Sequence, residues 1–525
     1  MTSTVQGGTA PLSHRETMIV LAGLLSGLLL AALDQTIVST ALPTIVGEFG
    51  GLDHLSWVVT AYLLASTASM PLWGKVSDQF GRRIVFQAAI VTFLVGSALC
   101  GLAQDMTSLI AFRAIQGLGG GGLLSLTFVI VGDIVPPRQR GRYAGYLTGV
   151  FAFSSVAGPL LGGFFVDNLN WRWIFYVNLP IGAVALVVTS AVLHLPHRRS
   201  TSRIDLLGAA LLVGAVTSLL LLTVWGGQEH EWDSTVIVGL GVATAVLTVA
   251  FVLWERRASE PILPLRLFAE PVFTLSVLIA FLIGAALFGA TIFLPLFLQA
   301  VRGTSATGSG LLLMPMMAGI LVMSIAVGRL VSRTGRYKVF PVLGLALAVL
   351  GMALLSRLQV DSPSWHASAA MLVLGFGIGT CMPILTVAVQ NAVSIRDLGV
   401  GTSAINFFRT LGGALGVAAL GAVLSSRLAS ELATRLPDVP LADTTALTRS
   451  PESIAALPEA TRIGVVTSLA DAISTVFLVA TPILFVAFLL AWLIPELPLR
   501  ETNAPSNEAS DGSDHAAPEP VLAEL

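Results

Sequence analysis

The chain has 525 residues, of which 55% are hydrophobic and only 11% charged, whereas a water-soluble globular protein carries roughly 25% charged residues. Its mean hydropathy is +0.85, so lipid must solvate most of its surface, which excludes an ordinary soluble protein. A net charge of −2, from 28 basic and 30 acidic residues, offers no electrostatic case for nucleic acid.

A helix needs about 20 mainly apolar residues to cross the hydrocarbon core, and only helices or closed barrels satisfy their backbone groups there. The apolar runs are continuous rather than alternating, which excludes a barrel. They predict an all-α polytopic protein with fourteen spans, near 18–40, 55–74, 83–103, 107–131, 143–165, 173–194, 205–224, 234–254, 271–297, 307–329, 338–356, 366–391, 400–425 and 471–494. With the N-terminus placed inside, inner segments hold 19 Lys and Arg residues and outer ones seven, of which four lie in one loop, 426–466. The positive-inside rule therefore puts both termini in the cytoplasm. The expected layout is an N-tail (1–17), a six-helix bundle (18–194), two inserted spans (195–270), a second six-helix bundle (271–494) and a disordered cytoplasmic tail (495–525).

The first span is longer than a signal-peptide core of roughly 7–15 residues, and it contains Asp34. An ionisable side chain inside the bilayer is costly and marks a functional position by default. Asp34 lies about six residues below the expected outer end of span 1, and Arg113 about six below that of span 4, so both sit roughly 9 Å deep. Burial raises an aspartate's pKa and a nearby guanidinium lowers it, and a carboxylate between these effects can load and release a proton. A fixed structural pair is the bland alternative. All seven histidines fall in loops, tails or helix ends.

The inner loop after span 2 runs from Gly74 and Lys75 through Asp78 to Gly81, Arg82 and Arg83. Its glycines allow a tight reversal, and Asp78 is expected near the start of helix 3, with basic partners that could part as the protein changes shape. Gly158, Pro159, Gly162 and Gly163 in span 5 suit close packing and bending. The runs Gly117–Gly122 and Gly375–Gly379 lie in apolar helices and lack the Lys-Ser/Thr ending of a phosphate loop. Span 13 carries a third embedded charge, Arg409; with Asn406 and Gln116 it is a candidate for substrate or coupling. Cys100 and Cys381, both in apolar runs, point to neither disulfide nor metal, and no cofactor is expected.

An offset of 254 residues maps Gly74, Gly81 and Arg82 onto Gly328, Gly335 and Arg336, and Gly145, Gly158 and Gly162 onto Gly399, Gly412 and Gly416. Spans 1–6 thus match spans 9–14, with spans 7 and 8 inserted. Related halves around a central site are a known transporter plan.

These motifs together resemble the major facilitator superfamily, and within it the fourteen-helix drug:H+ antiporters. The resemblance rests on Leu33 to Pro43, the loop from Gly74 to Arg83, Arg113 to Gly117, Gly158-Pro159 with Gly162-Gly163, Trp171 to Pro180, and Arg409 to Gly413. It covers roughly residues 18–495; Ser332, where the repeat would place an equivalent of Asp78, departs from the pattern. It implies proton-coupled export of lipophilic, drug-like and partly cationic compounds across the cell membrane by a monomer that is not an enzyme. It further implies that Asp34 and Arg113 serve coupling, that Gly74, Asp78, Gly81, Arg82 and Arg83 form a conformational latch, and that the span 5 motif gates. A dedicated exporter of one endogenous product (antibiotic, siderophore or lipid) stays open beside it. A membrane enzyme is the more distant alternative, because no His/Asp/Ser cluster marks an interface.

Overall fold

A computed structural model describes residues 14–49, 55–193, 205–227, 230–304, 306–394, 397–436, 454 and 457–500. Within them the fold is all-helical. The first half holds α1 (His14–Phe49), α2 (Leu55–Phe80), α3 (Arg82–Gly101), α4 (Met106–Ile134), α5 (Pro137–Asn168), α6 (Trp173–Tyr176) and α7 (Asn178–Val192). Then come α8 (Leu206–Trp225) and α9 (Thr235–Glu255). The second half holds α10 (Pro271–Leu296, continued by a π turn over Phe297–Val301), α11 (Ala306–Leu312), α12 (Met314–Thr334), α13 (Val339–Leu355), α14 (Ser364–Ala392), α15 (Leu398–Arg435) and α16 (Glu459–Trp492).

Among the described residues, twelve helical segments are long and apolar enough to cross a membrane. The apolar α13 is shorter, at 17 residues. Helix α2 is not among the twelve; serines, threonines and the charges Lys75 and Asp78 dilute its apolar character.

Several boundaries differ from the sequence expectation. Helix α1 continues to Phe49 rather than ending near residue 40. The inner loop after span 2 shrinks to a single break: α2 runs through Phe80, Gly81 takes φ 93°, and α3 starts at Arg82. Gly335 makes the matching left-handed turn after α12, φ 70°. The outer loop placed at 426–466 is helical at both ends, because α15 reaches Arg435 and α16 begins at Glu459. Arg435 pairs with Glu431 one turn back at 3.2 Å and with Asp471 of α16 at 2.5 Å. Such i,i+4 pairs support a helix in water where lipid no longer does. The middle of that loop, 437–453, lies outside the described residues. The tail expected to be disordered from residue 495 is ordered to residue 500: the Tyr337 hydroxyl donates to the Pro495 carbonyl at 2.8 Å, and the Arg500 N–H to Asn391 Oδ1 at 2.9 Å. Residues 501–525 lie outside the description.

Backbone contacts repeat between the halves. A Cβ on Gly117 or Gly121 of α4 would overlap the carbonyls of Tyr62 and Ser66 in α2; a Cβ on Gly375 or Gly379 of α14 would overlap those of Met316 and Ile320 in α12. Gly158 of α5 sits against Thr36 of α1, as Gly412 of α15 sits against Phe281 of α10. The glycine runs are therefore helix interfaces, where a missing side chain lets two backbones touch. These contacts bring α4 close enough to α1 and α2 for their polar side chains to meet.

Candidate functional site

The polar groups of α1, α3, α4 and α7 meet in one buried network. Asp34 is 0% exposed and Arg113 1%. Arg113 Nη1 donates to Asp34 Oδ2 at 2.6 Å and to Gln116 Oε1 at 2.7 Å, and its Nε to the Val58 carbonyl at 3.1 Å. Its guanidinium lies 4.3 Å from the Tyr62 ring centroid, in cation–π range. Gln116 Nε2 donates to Asp34 Oδ1 at 2.8 Å, with a longer contact of 3.4 Å from Asn178 Nδ2. Ser97 Oγ accepts from Gln116 at 3.1 Å and Asn178 at 2.9 Å and donates to the Phe175 carbonyl. Residues i and i+3 on α4 share a face, which is why Arg113 and Gln116 reach the same carboxylate.

A buried ion pair survives only when its geometry is good and its remaining hydrogen-bonding groups are met, because desolvation costs each ion several kcal/mol. The geometry is good here and both carboxylate oxygens of Asp34 accept hydrogen bonds, while Asn178 Oδ1 in the same network has no partner among the described residues. The guanidinium of Arg113 and the amides of Gln116 and Asn178 surround the Asp34 carboxylate. Protonation would cancel the Coulomb attraction and free the guanidinium to move.

The structure brings the other expected site residues together only in part. Arg82 pairs with Asp78 at 2.6 Å and with Asp133 of α4 at 2.5 Å. Asp78 sits in the last turn of α2, not at the start of α3, and its carboxylate lies where a Cβ on Gly399 would go. It thus faces the first turn of α15, a favourable place for negative charge. Burial pushes its carboxyl up to about 6, against the pull of Arg82. Gly74 packs against Ser403 of α15, so this corner joins the two halves. Arg83 points elsewhere, to the Ser190 carbonyl of α7. Lys75 pairs with Glu260, in the segment between α9 and α10, at 2.8 Å.

Further polar contacts tie the halves together. Ser125 and Ser403 hydroxyls lie 2.6 Å apart, Thr148 and Ser324 hydroxyls 3.1 Å, and Gln390 donates to the Phe128 carbonyl at 3.2 Å. In the span 5 motif, Gly158 packs on Thr36, two residues beyond Asp34, and the Thr36 hydroxyl donates to the Ser154 carbonyl at 2.9 Å. Gly162 is buried, Gly163 has open space beside it, and Pro159 is an interior residue of α5. Arg409 and Asn406 lie on α15, remote in sequence from the Asp34 network, whereas Gln116 is part of it.

Sequence reasoning missed Ser97, Tyr62 and the role of Asn178. A single serine or tyrosine in an apolar run carries no distinguishing signal. Asn178 did: an amide at the first turn of a span, within the motif from Trp171 to Pro180, is costly to bury without a partner. The same motif also clamps the C-terminal end of α1, where Trp171 Nε1 and Arg172 Nη1 donate to Glu48 at 2.6 and 2.8 Å.

Comparison with known proteins agrees with this architecture. The family model described as Major Facilitator Superfamily matches residues 24–417. An uncharacterized MFS-type transporter of Mycobacterium tuberculosis strain H37Rv is 41% identical over 512 residues, 97% of this chain and 74% of that protein. The multidrug transporter protein MdtP of Bacillus subtilis is 40% identical over 418 residues, 80% of this chain and 77% of that protein. The crystal structure of the human organic anion transporter TETRAN superposes with a TM-score of 0.62, covering 90% of this chain and 99% of that one; its 18% identity speaks to the fold alone. The chain belongs to the Major Facilitator Superfamily, as a multi-pass membrane transporter rather than an enzyme.

Proposed function

We propose that the protein is a proton-coupled exporter of lipophilic, drug-like molecules, working by alternating access in the cell membrane. The observation that carries this reading is the buried Asp34–Arg113–Gln116 network, an acid and a guanidinium shielded together inside one half. Protonation of Asp34 from the outer side loosens its hold on Arg113, and inner release restores the pair. In this reading the chain has fourteen spans, α2 and α13 included, with both termini cytoplasmic, and it works as a monomer surrounded by lipid. The corner of Gly74, Asp78, Gly81 and Arg82 latches the inner side shut against α15. The contact of Gly158 with Thr36 links movement of α5 to the turn of α1 that carries Asp34. Arg83 serves α7 packing rather than the latch. Relatives whose names describe multidrug transport support the cargo class.

The test is accumulation of lipophilic fluorescent probes in cells carrying the protein, before and after an ionophore collapses the proton gradient. Accumulation should rise to the level of cells without the protein. Unchanged, low accumulation after collapse would contradict proton coupling.

A further inference from the structure

Asp34 and Arg113 cancel each other's charge, whereas the third embedded ionisable residue is left over. Arg409 lies eleven residues into α15 from Leu398, about 16 Å along the helix at ~1.5 Å per residue, which is close to the middle of a hydrocarbon core about 30 Å thick. Its backbone carbonyl packs where a Cβ on Gly284 of α10 would stand. Thr402, two turns back on the same face, accepts a hydrogen bond from Gln390 of α14 at 3.1 Å. This face of α15 therefore packs against α10 and α14, with the Arg409 side chain itself partly exposed.

Among the described residues the Arg409 side chain has no hydrogen bond, ion pair or ring contact. One turn earlier stands Asn406, 1% exposed. Its Nδ2 donates to the Thr402 carbonyl at 3.2 Å, while its Oδ1 is buried with no partner. Buried polar atoms are normally paired, and each exception calls for an explanation. An unpaired guanidinium at mid-membrane costs at least a few kcal/mol. Here an unmet cationic donor and an unmet acceptor occupy adjacent turns of one helix face, opposite the half that holds the proton network.

We infer that Arg409 and Asn406 form a cargo subsite for an organic acid: an apolar body bearing a carboxylate for the Arg409 guanidinium and a neighbouring N–H or O–H for Asn406 Oδ1. This rests on the reading of the chain as an exporter and departs from the cationic cargo that the sequence resemblance implied. Asp34 is already met by Arg113, Gln116 and Asn178 and has no free face for a cation. Arg409 is the charge available to cargo. A planar guanidinium binds a carboxylate through two parallel N–H bonds, which an ammonium cannot copy.

The experiment uses the full chain in neutral phosphatidylcholine vesicles under an imposed pH gradient. Uptake is followed for dansyl-leucine (an acid with an adjacent N–H), its methyl ester and dansylcadaverine (a cation). The acid should be concentrated most. Arg409→Gln should lower acid uptake by about tenfold or more, the scale of a lost charged hydrogen bond, and leave the ester nearly unchanged. Arg409→Lys should keep part of the acid uptake. Asn406→Asp, which places a carboxylate one turn from Arg409, should shift preference from the acid to the ester and the cation.

Equal loss of all three probes in monodisperse Arg409→Gln protein would assign Arg409 a packing role and overturn the subsite. So would native preference for the cation, or movement of none of the probes. Failure of the coupling reading looks different: the acid preference and its loss in Arg409→Gln would persist with no dependence on the gradient.

Discussion

On α4, the turn before Gly117 carries Arg113 and Gln116 onto Asp34; on α14, the matching turn before Gly375 carries Met371 and Leu374, both fully buried. The contact of Gly158 with Thr36 corresponds to that of Gly412 with Phe281, and two residues before each stand Asp34 in one half and buried Ile279 in the other. The two halves thus share their backbone packing and differ in what it encloses: a charged, hydrogen-bonded network in one and an apolar core in the other. Packing of this kind needs no charge, since the second half achieves it with apolar residues at the equivalent positions. A well-packed apolar replacement of a buried ion pair is often neutral or stabilising, whereas removing one partner is strongly destabilising.

The sharpest way to break this comparison is to make the first half resemble the second. Arg113→Met alone leaves Asp34 without its counter-ion and should cost about 3–5 kcal/mol, seen as a lower unfolding temperature in detergent and loss of export. Asp34→Ile combined with Arg113→Met should recover most of that stability and still show no gradient-driven export. Coupled export in the double variant would remove the functional distinction between the halves.

A smaller effect is expected at the inner corner, where Asp78 stands in the first half and Ser332 in the second. Asp78→Asn should slow transport severalfold, because Asp78 faces α15 and holds Arg82, while Ser332→Ala should do less, since that side chain carries no charge and its hydroxyl donates to the Gly328 carbonyl of its own helix. The sign of the pH dependence follows from burial. The carboxyl of Asp78 is raised to about 6 in this closed corner, and a solvated aspartate titrates near 3.9, so the closed form binds the proton more tightly. Closure should therefore strengthen as inner pH falls through about 6 and weaken as it rises, which labelling of a cysteine placed at the inner ends of α2 and α15 would report. Asp78→Asn should flatten that dependence.

The smallest effect belongs to Lys75 and Glu260. Their ion pair is partly exposed, with side-chain exposures of 12% and 42%, and surface pairs contribute about 0–1 kcal/mol. Lys75→Ala should shift the unfolding temperature by no more than a few degrees. A large loss of transport would instead make this contact part of the latch.

Much of the fold was legible because lipid imposes a simple rule on apolar length, and much of the site because a charge in an apolar run stands out. Asp34, Arg113 and Arg409 announced themselves in this way. Helix ends were less legible: α1, α2 and α15 continue past the expected ends of their apolar runs on ion pairs and corner contacts that hydropathy does not register. Within the network, Gln116 and Asn178 could be read only as polar residues inside motifs, since their meaning depends on which carboxylate they face. The repeat was partly legible through its glycines, whose backbone contacts recur in both halves. The exchange of Asp34, Arg113 and Gln116 for Ile279, Met371 and Leu374 was not, because matching these residues requires the helix contacts and not a fixed offset.

The most direct measurement is concentrative uptake of a lipophilic probe by vesicles containing either the native chain or Asp34→Asn, each with and without an imposed pH gradient. The native protein should concentrate the probe only when the gradient is present, and the variant, equally folded, should do no more than equilibrate it. Equal, gradient-driven concentration by both proteins would show that the carboxylate buried beside Arg113 does not carry the proton.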